Sequence, residues 1–208
     1  MPHSALLGRD FFDRSVVTVA RALLGQRVVR VLEGQRVSVL VTEVEAYDGE
    51  QDTACHAHNG PTKRNAVMYG PPGHAYVYFT YGMHWLLNCV TGAQGYPAAV
   101  LIRAALPLEN PAIIAVNRPG INQHLWLSGP ARLTRALQID GTLNGINLCS
   151  PGTLTLEKGF YVEDSQIACS ARIGVDYASE PWKSMPWRFF VQNAEQWLTS
   201  QPGMQGMV

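Results

Sequence analysis

The chain has 208 residues, 47% hydrophobic and 15% charged, with sixteen Lys and Arg balanced by sixteen Asp and Glu. That length suits one domain able to bury a core without disulfides or a metal, and the composition excludes a disordered chain. A formal charge of zero does not advertise nucleic-acid binding. It leaves room only for a local basic face, to which Lys63, Arg64, Arg132, Arg135, Arg172 and Arg188 are candidates.

Asp13 is placed to cap a helix over Arg14–Leu24, in which Val16, Val17, Ala20, Leu23 and Leu24 recur at helical spacing and Gly25 is a stop. Two strand-like runs, Arg27–Leu32 and Gln35–Glu45, joined at Glu33-Gly34, read as a β-hairpin. Asp48–Pro72 is rich in Gly, Pro, Asn, Asp and His and reads as a long functional loop. His74–Tyr81 and His84–Thr91 form a second, aromatic hairpin around Gly82-Met83, and Ala98–Ala104 is a further strand. Asn110–Trp126 has no clear pattern. Ser128 is expected to cap a helix that contains Pro130 and runs to about Ile139, and Asp140-Gly141 ends it. Thr153–Glu157, Ile167–Val175 and Trp187–Gln192 read as short strands, and residues 192–208 as a frayed tail. The predicted class is α+β: a single domain over 1–208, built on an antiparallel curved β-sheet with a protruding aromatic hairpin and a few surface helices.

Cys55, Cys89, Cys149 and Cys169 make no CxxC pair and read as reduced thiols. There is no apolar run of membrane-span length and no charged-then-apolar N-terminus, so a cytoplasmic protein is expected. Cys55-His56-Ala57-His58 lacks the second distant pair of a zinc signature, so no metal is expected.

Two segments carry chemistry. If Gln35–Tyr47 stays a regular strand, Val37, Val39, Val41, Glu43, Glu45 and Tyr47 share one face, and the valines make it the buried one. A carboxylate at its end is then desolvated, its pKa raised and suited to proton transfer. The plainer reading is that Glu43 and Glu45 mark where the strand reaches solvent. In the aromatic hairpin, Tyr76 and Tyr78 take one face and Val77, Phe79 and Tyr81 the other. That pattern fits a core strand, but Tyr81 and Met83 at the turn also suit a wedge between base pairs.

These segments together resemble the alkyladenine (3-methyladenine) DNA glycosylase family. The similarity is carried by Thr42-Glu-Val-Glu-Ala-Tyr47, Ala54-Cys-His56, Thr62-Lys-Arg-Asn65, Pro72–Met83 with Leu87-Asn88, Val100–Ala104, Ser128-Gly-Pro130, Arg172-Ile-Gly174 and Pro186–Phe189. It runs in the family's order from about Leu6 to Val191. The resemblance implies a monofunctional glycosylase that flips alkylated or deaminated purines (3-methyladenine, 7-methylguanine, hypoxanthine, ethenoadenine) out of duplex DNA and hydrolyses the N-glycosidic bond.

By that resemblance Glu45 is the general base, and Arg103 holds a phosphate and helps place the water. Tyr47, His56 and Tyr78 sandwich the base, and Asn88 lines the pocket floor. Tyr81, with Met83, fills the gap in the duplex, while Lys63 and Arg64 contact the backbone. No cofactor and no metal are implied. The implied partners are double-stranded DNA containing a damaged purine and downstream abasic-site repair enzymes. A monomer that uses no membrane and, in a prokaryote, associates with the nucleoid is expected. Two departures, a short Pro107–Trp126 segment whose one Lys or Arg is Arg118 and Ala57 after the histidine, are expected to widen the pocket. Two rivals stay open: a carbohydrate glycosidase using Glu43 and Glu45, which two residues apart on a strand sit about 6–7 Å apart, and a non-catalytic binder of damaged DNA.

Overall fold

The computed structural model describes residues 5–205. In chain order the elements are α1 (Arg9–Phe12), α2 (Val16–Leu23), β1 (Arg27–Leu32), β2 (Gln35–Asp48), β3 (Ala75–Thr80), β4 (His84–Thr91), β5 (Ala98–Glu109), α3 (Pro111–Asn117), α4 (Pro130–Ala136), β6 (Leu154–Glu157), β7 (Ile167–Ser170), β8 (Arg188–Val191) and α5 (Ala194–Thr199). The strands form one curled antiparallel sheet in the order β3-β4-β5-β2-β1-β6, with β8 pairing both β2 and β7. The α+β class and the curved sheet expected from the sequence are what the molecule has.

The core lies between one face of this sheet and the helices. Val16, Val19, Ala20 and Leu23 of α2 are buried, and α2 packs on β2 and β5 while α4 packs on β4 and β5. Ala75 and Val77 of β3, Leu87 and Cys89 of β4, and Ala98, Val100 and Ile102 of β5 join the same cluster. Gly25 takes φ +78°, and a Cβ there would lie 2.2 Å from the Phe160 carbonyl oxygen, so the exit from α2 needs glycine.

β2 does not stay regular. Its pairing with β5 slips between Val41 and Glu43 and again between Glu43 and Val44. Before the slip Val37, Val39 and Val41 point into the core; after it Val44 and Ala46 do. The slip therefore reverses which side chains face the core, as a bulge does in a strand of period two. Glu43, Glu45 and Tyr47 end on the face opposite the valines, which corrects the single-face expectation. The same place divides β2 between partners: β1 pairs with it up to Leu40, and β8 pairs with Glu43 to Glu45.

Several boundaries differ from those the sequence suggests. Ser15, not Asp13, caps α2, its Oγ accepting from the Thr18 N–H at 3.4 Å. Gly129 occupies the cap position of α4, and the Ser128 hydroxyl instead accepts from Arg132 Nη1 at 2.8 Å. β5 continues to Glu109, and the patternless segment holds α3. β7 stops at Ser170, which frees the following residues for the site described below.

The C-terminal segment is not frayed over its described part. Trp197, Leu198 and Met204 are buried, and Trp197 meets Phe160 edge-on with ring centres 6.4 Å apart; residues 206–208 lie outside the described residues. Trp197→Ala removes a large buried ring and is expected to cost about 3–5 kcal/mol in urea unfolding. A loss below about 0.5 kcal/mol, the range of ordinary surface changes, would show the segment detached in solution.

Candidate active site

The face of the sheet turned away from the helices builds a cavity. Pairing places Tyr76 of β3 opposite Asn88 of β4, Asn88 opposite Leu101 of β5, and Leu101 opposite Glu45 of β2. These four residues form one row across four strands, about 14 Å from end to end at the usual strand spacing. In the row on one side of it Tyr47 sits opposite Ala99, and in the row on the other side Tyr78 of β3 sits opposite Leu86 of β4. The cavity above these rows has a volume of about 380 Å³ and is lined by Tyr47, His56, Tyr76, Tyr78, Asn88 and Arg103, among others.

Glu45 is 0% exposed and lies beneath the cavity wall. One carboxylate oxygen accepts the Ile173 backbone N–H at 2.7 Å. The other accepts the Tyr47 hydroxyl at 2.9 Å and Arg103 Nη1 at 3.1 Å. Burial raises its pKa above the ordinary glutamate value, against the pull of Arg103, the Ile173 N–H and the Tyr47 hydroxyl. Arg103 is shared, its Nε donating to Glu43 at 2.8 Å. The same Glu43 oxygen accepts Arg188 Nη1 at 3.1 Å.

The Asp48–Pro72 loop brings His56 over the sheet. Its Nδ1 lies 2.9 Å from the Tyr76 hydroxyl, and its ring meets Tyr78 edge-on at 4.5 Å. Desolvation, with the Arg64 charge adding to it, lowers the His56 pKa to about 4, so the ring is neutral at pH 7. Asn88 Nδ2 donates to the Tyr76 carbonyl at 3.0 Å, which fixes the amide orientation at the floor. Cys55, His56 and His58 do not converge: Cys55 Sγ donates to the Pro97 carbonyl and His58 Nδ1 lies against the Glu50 carbonyl.

The loop is anchored from within. Arg172 and Asp52 form an ion pair whose side chains are both 0% exposed. Arg172 Nη2 donates to Asp52 at 2.9 Å and to the Trp182 carbonyl at 2.9 Å, and Nη1 donates to Asp52 and, at 2.8 Å, to the Ala46 carbonyl. Its guanidinium also lies 4.7 Å from the centre of the Tyr47 ring. Asp52 in turn accepts the backbone N–H groups of Asp48 and Ala54. One buried pair thereby holds the His56 loop, the Tyr47 ring and the segment that delivers the Ile173 N–H to Glu45.

The chain as a whole is similar to proteins of one family. A model of the methylpurine-DNA glycosylase family matches residues 10–195. The chain belongs to that family. A protein of Methanocella arvoryzae is 48% identical over 199 residues, covering 95% of this chain and 98% of its own. One from Carboxydothermus hydrogenoformans is 47% identical, covering 90% and 96%, and one from Desulfitobacterium hafniense is 44% identical, covering 91% and 96%. All three are named, provisionally, 3-methyladenine DNA glycosylases. Family membership carries a DNA-repair glycosylase role and a DNA substrate.

Of the residues singled out in the sequence of this family member, Tyr47, His56, Tyr78, Asn88 and Arg103 border one cavity, and Glu45 lies directly behind it. Tyr81 and Met83 stand out at the hairpin tip, 83% and 68% exposed. Tyr81 leaves the Val77 and Phe79 face: it takes φ +51° at the turn and borders the cavity mouth. Arg64 is not free for the backbone alone, since its guanidinium sits 5.0 Å over Tyr78 and donates to the Phe79 carbonyl at 3.2 Å. Lys63 is exposed. Arg172 and Arg188 turn inward and leave the basic face. Tyr76, Asp52 and Ile173 received no role from the sequence; Tyr76 was signalled by its alternation with Tyr78, and Ile173 by the Arg172-Ile-Gly174 block.

Because the folded pKa of Glu45 is raised, the native state holds the proton more tightly than the unfolded chain. Stability is thus lost as pH rises from the ordinary glutamate value through the folded pKa, and the loss is constant above it. In melts taken across pH, the stability of Glu45→Gln relative to the parent should climb over that window and then level. A relative stability that falls with rising pH would mean that Arg103 outweighs burial.

Proposed function

We propose that the protein flips a modified purine nucleotide out of duplex DNA into this cavity and hydrolyses its N-glycosidic bond, with Glu45 as general base. The observation that carries this reading is the placement of a buried carboxylate, at one end of a cross-strand row, beneath a cavity walled by aromatic rings. An ionised carboxylate has about four acceptor positions. Ile173, Tyr47 and Arg103 occupy three, which leaves one for a water.

The water oxygen attacks the anomeric carbon as the bond to the purine nitrogen breaks, and Glu45 takes the water's proton. Its negative charge also stabilises the oxocarbenium character of the transition state. Tyr47, His56 and Tyr78 supply stacking, worth about 1–3 kcal/mol per base, against an unpairing cost of a few kcal/mol. Neutral His56 has one ring nitrogen beside the Tyr76 hydroxyl and a second for the purine edge. Asn88, its amide nitrogen held, excludes the amino group of normal guanine from the floor. Arg103 fixes the Glu45 carboxylate and borders the sugar and phosphate. Tyr81 and Met83 enter the vacated stack, where apolar groups are expected to wedge between base pairs.

The two-carboxylate reading of Glu43 and Glu45 is weakened because Glu43 is committed to Arg103 and Arg188. A panel of duplexes, each with one modified purine, assayed for free base, tests the proposal. Base release from at least one lesion is expected. Binding without release would leave a damage binder, and cleavage of a sugar polymer would restore the glycosidase.

Glu45→Gln keeps the shape but cannot take a proton. It should cut single-turnover excision by at least the 10²–10⁴-fold typical of general-base catalysis while duplex binding persists; excision within about threefold of the parent would remove Glu45 from the role. In the parent, excision of a base alkylated at N3 or N7, already cationic, should rise with pH to a plateau, with its midpoint above the ordinary glutamate value. A neutral lesion such as hypoxanthine must be protonated to leave, so its rate should fall again at high pH. Identical profiles for the two lesion types would refute the leaving-group argument.

Tyr81→Ser should slow excision most for a correctly paired lesion and least opposite a mismatch, where unstacking already costs less. Equal losses in both contexts, measured under single turnover, would assign Tyr81 a packing role only.

A further inference from the structure

We propose that Arg118, Arg132 and Arg135 form a phosphate-binding surface between α3 and α4 that grips the DNA strand beside the base cavity. The proposal rests on the glycosylase reading above and adds the place where the backbone is held.

Three observations carry it. Arg118 ends α3 and is only 9% exposed, yet its buried Nε has no hydrogen-bond partner. Arg132 and Arg135 lie three residues apart, hence on one side of α4, and both are exposed. The two helices are tied there: Asn117, next to Arg118, donates to the Ala136 carbonyl at 2.8 Å and accepts from Gln138 Nε2 at 2.8 Å.

No ion pair among the described residues includes any of the three arginines. The side-chain partners of Arg132 are the Ser128 hydroxyl and carbonyl oxygens, both uncharged. Burial, and then the fields of Arg135 and Arg132, lower the pKa of Arg118, as expected of like charges gathered without a counterion. A buried donor without a partner and an uncompensated cluster of cations are local conflicts that folded proteins rarely keep without a functional reason. An anion with several oxygens supplies the missing counter-charge, and a guanidinium fork matches phosphate geometry.

Location selects the anion. Pro130, the first residue of α4, lines the base cavity. Ser128 forms a β-bridge with Ala104, the neighbour of Arg103, and Ser128 also accepts from Arg132. At about 1.5 Å per residue, Arg132 and Arg135 lie about 3 and 7.5 Å along α4 from Pro130. A DNA strand carries one charge per about 3.4 Å of axis, a spacing of the same order as the separation of Arg132 and Arg135 along α4. Arg118 is the one Lys or Arg of Pro107–Trp126; with the α4 arginines it makes a local basic face on a chain of zero formal charge.

The test is fluorescence anisotropy of the full chain on a duplex bearing an uncleavable abasic-site analogue, over a salt series. Arg132→Gln and Arg135→Gln should each lower the magnitude of the log–log salt slope by about 0.9, and the double variant by about 1.8. Arg118→Lys retains the charge and should keep the parent slope. Without DNA, the Gln variants should melt at or above the parent temperature, because they remove like charges. Inorganic phosphate should raise the melting temperature of the parent more than that of the double variant. Unchanged salt slopes in the Gln variants, while the parent binds the duplex and releases base, would overturn the surface and leave the glycosylase reading intact. Gln variants that melt well below the parent would make the cluster a structural one and overturn it too. A parent that binds no duplex would overturn both.

Discussion

The paired slip between β2 and β5 is the constraint on which the site depends. Without it, a strand of period two would carry Glu43, Glu45 and Tyr47 into the core beside Val37, Val39 and Val41. An unpaired carboxylate there would face apolar side chains alone, at a cost of several kcal/mol. The slip turns the carboxylates to the other face, and Val44 and Ala46 take over the packing. The change of partner from β1 to β8 occurs at the same place, so one irregularity both redirects the strand and admits Arg188 beside Glu43.

The Asp52–Arg172 pair carries the second layer of organisation. A fully buried ion pair is seldom a net source of stability, because desolvation offsets its attraction. Here the pair joins segments that also meet through the Tyr177 and Ser179 hydrogen bonds to Ala54 and Thr53 and the packing of Ala54 on Val175 and Ala178. Its hydrogen bonds fix the start of the long loop, the end of β2 and the turn after β7. The Ile173 N–H that reaches Glu45 is next to the held Arg172. A loop of that length brings its histidine to a defined place when its backbone is fastened at Asp48, Asp52 and Ala54.

Electrostatics within the cavity follow from the same packing. The aromatic walls keep His56 neutral, and burial raises Glu45 while Arg103 restrains the rise. Arg103 is itself divided between two carboxylates, so its position is set by Glu43 as much as by Glu45. The hairpin tip follows a different rule. Tyr81 takes a left-handed backbone conformation that is uncommon for a bulky residue, and its ring is left largely in solvent. Such a conformation persists only where the surrounding hairpin holds it.

Much was legible in the sequence. The two hairpins, the buried side of α2 and the alternation of Tyr76 and Tyr78 follow from local periodicity, because side-chain direction in a strand or helix is set by residues two to four apart. Glu45 was recognisable as a desolvated carboxylate, although for the wrong face. The caps at Ser15 and Gly129 and the packing of Trp197 escaped, since several residues nearby offered equally good local chemistry and tertiary contacts chose among them. What only the tertiary structure decided is which side of the sheet each strand presents after a slip, and which distant groups meet. The Arg172–Asp52 contact joins residues 120 apart in sequence, and the Ile173 N–H reaches Glu45 across 128. No local pattern encodes such contacts, because they depend on the summed register of every strand between them, and a shift of one residue in any of those strands reverses the outcome.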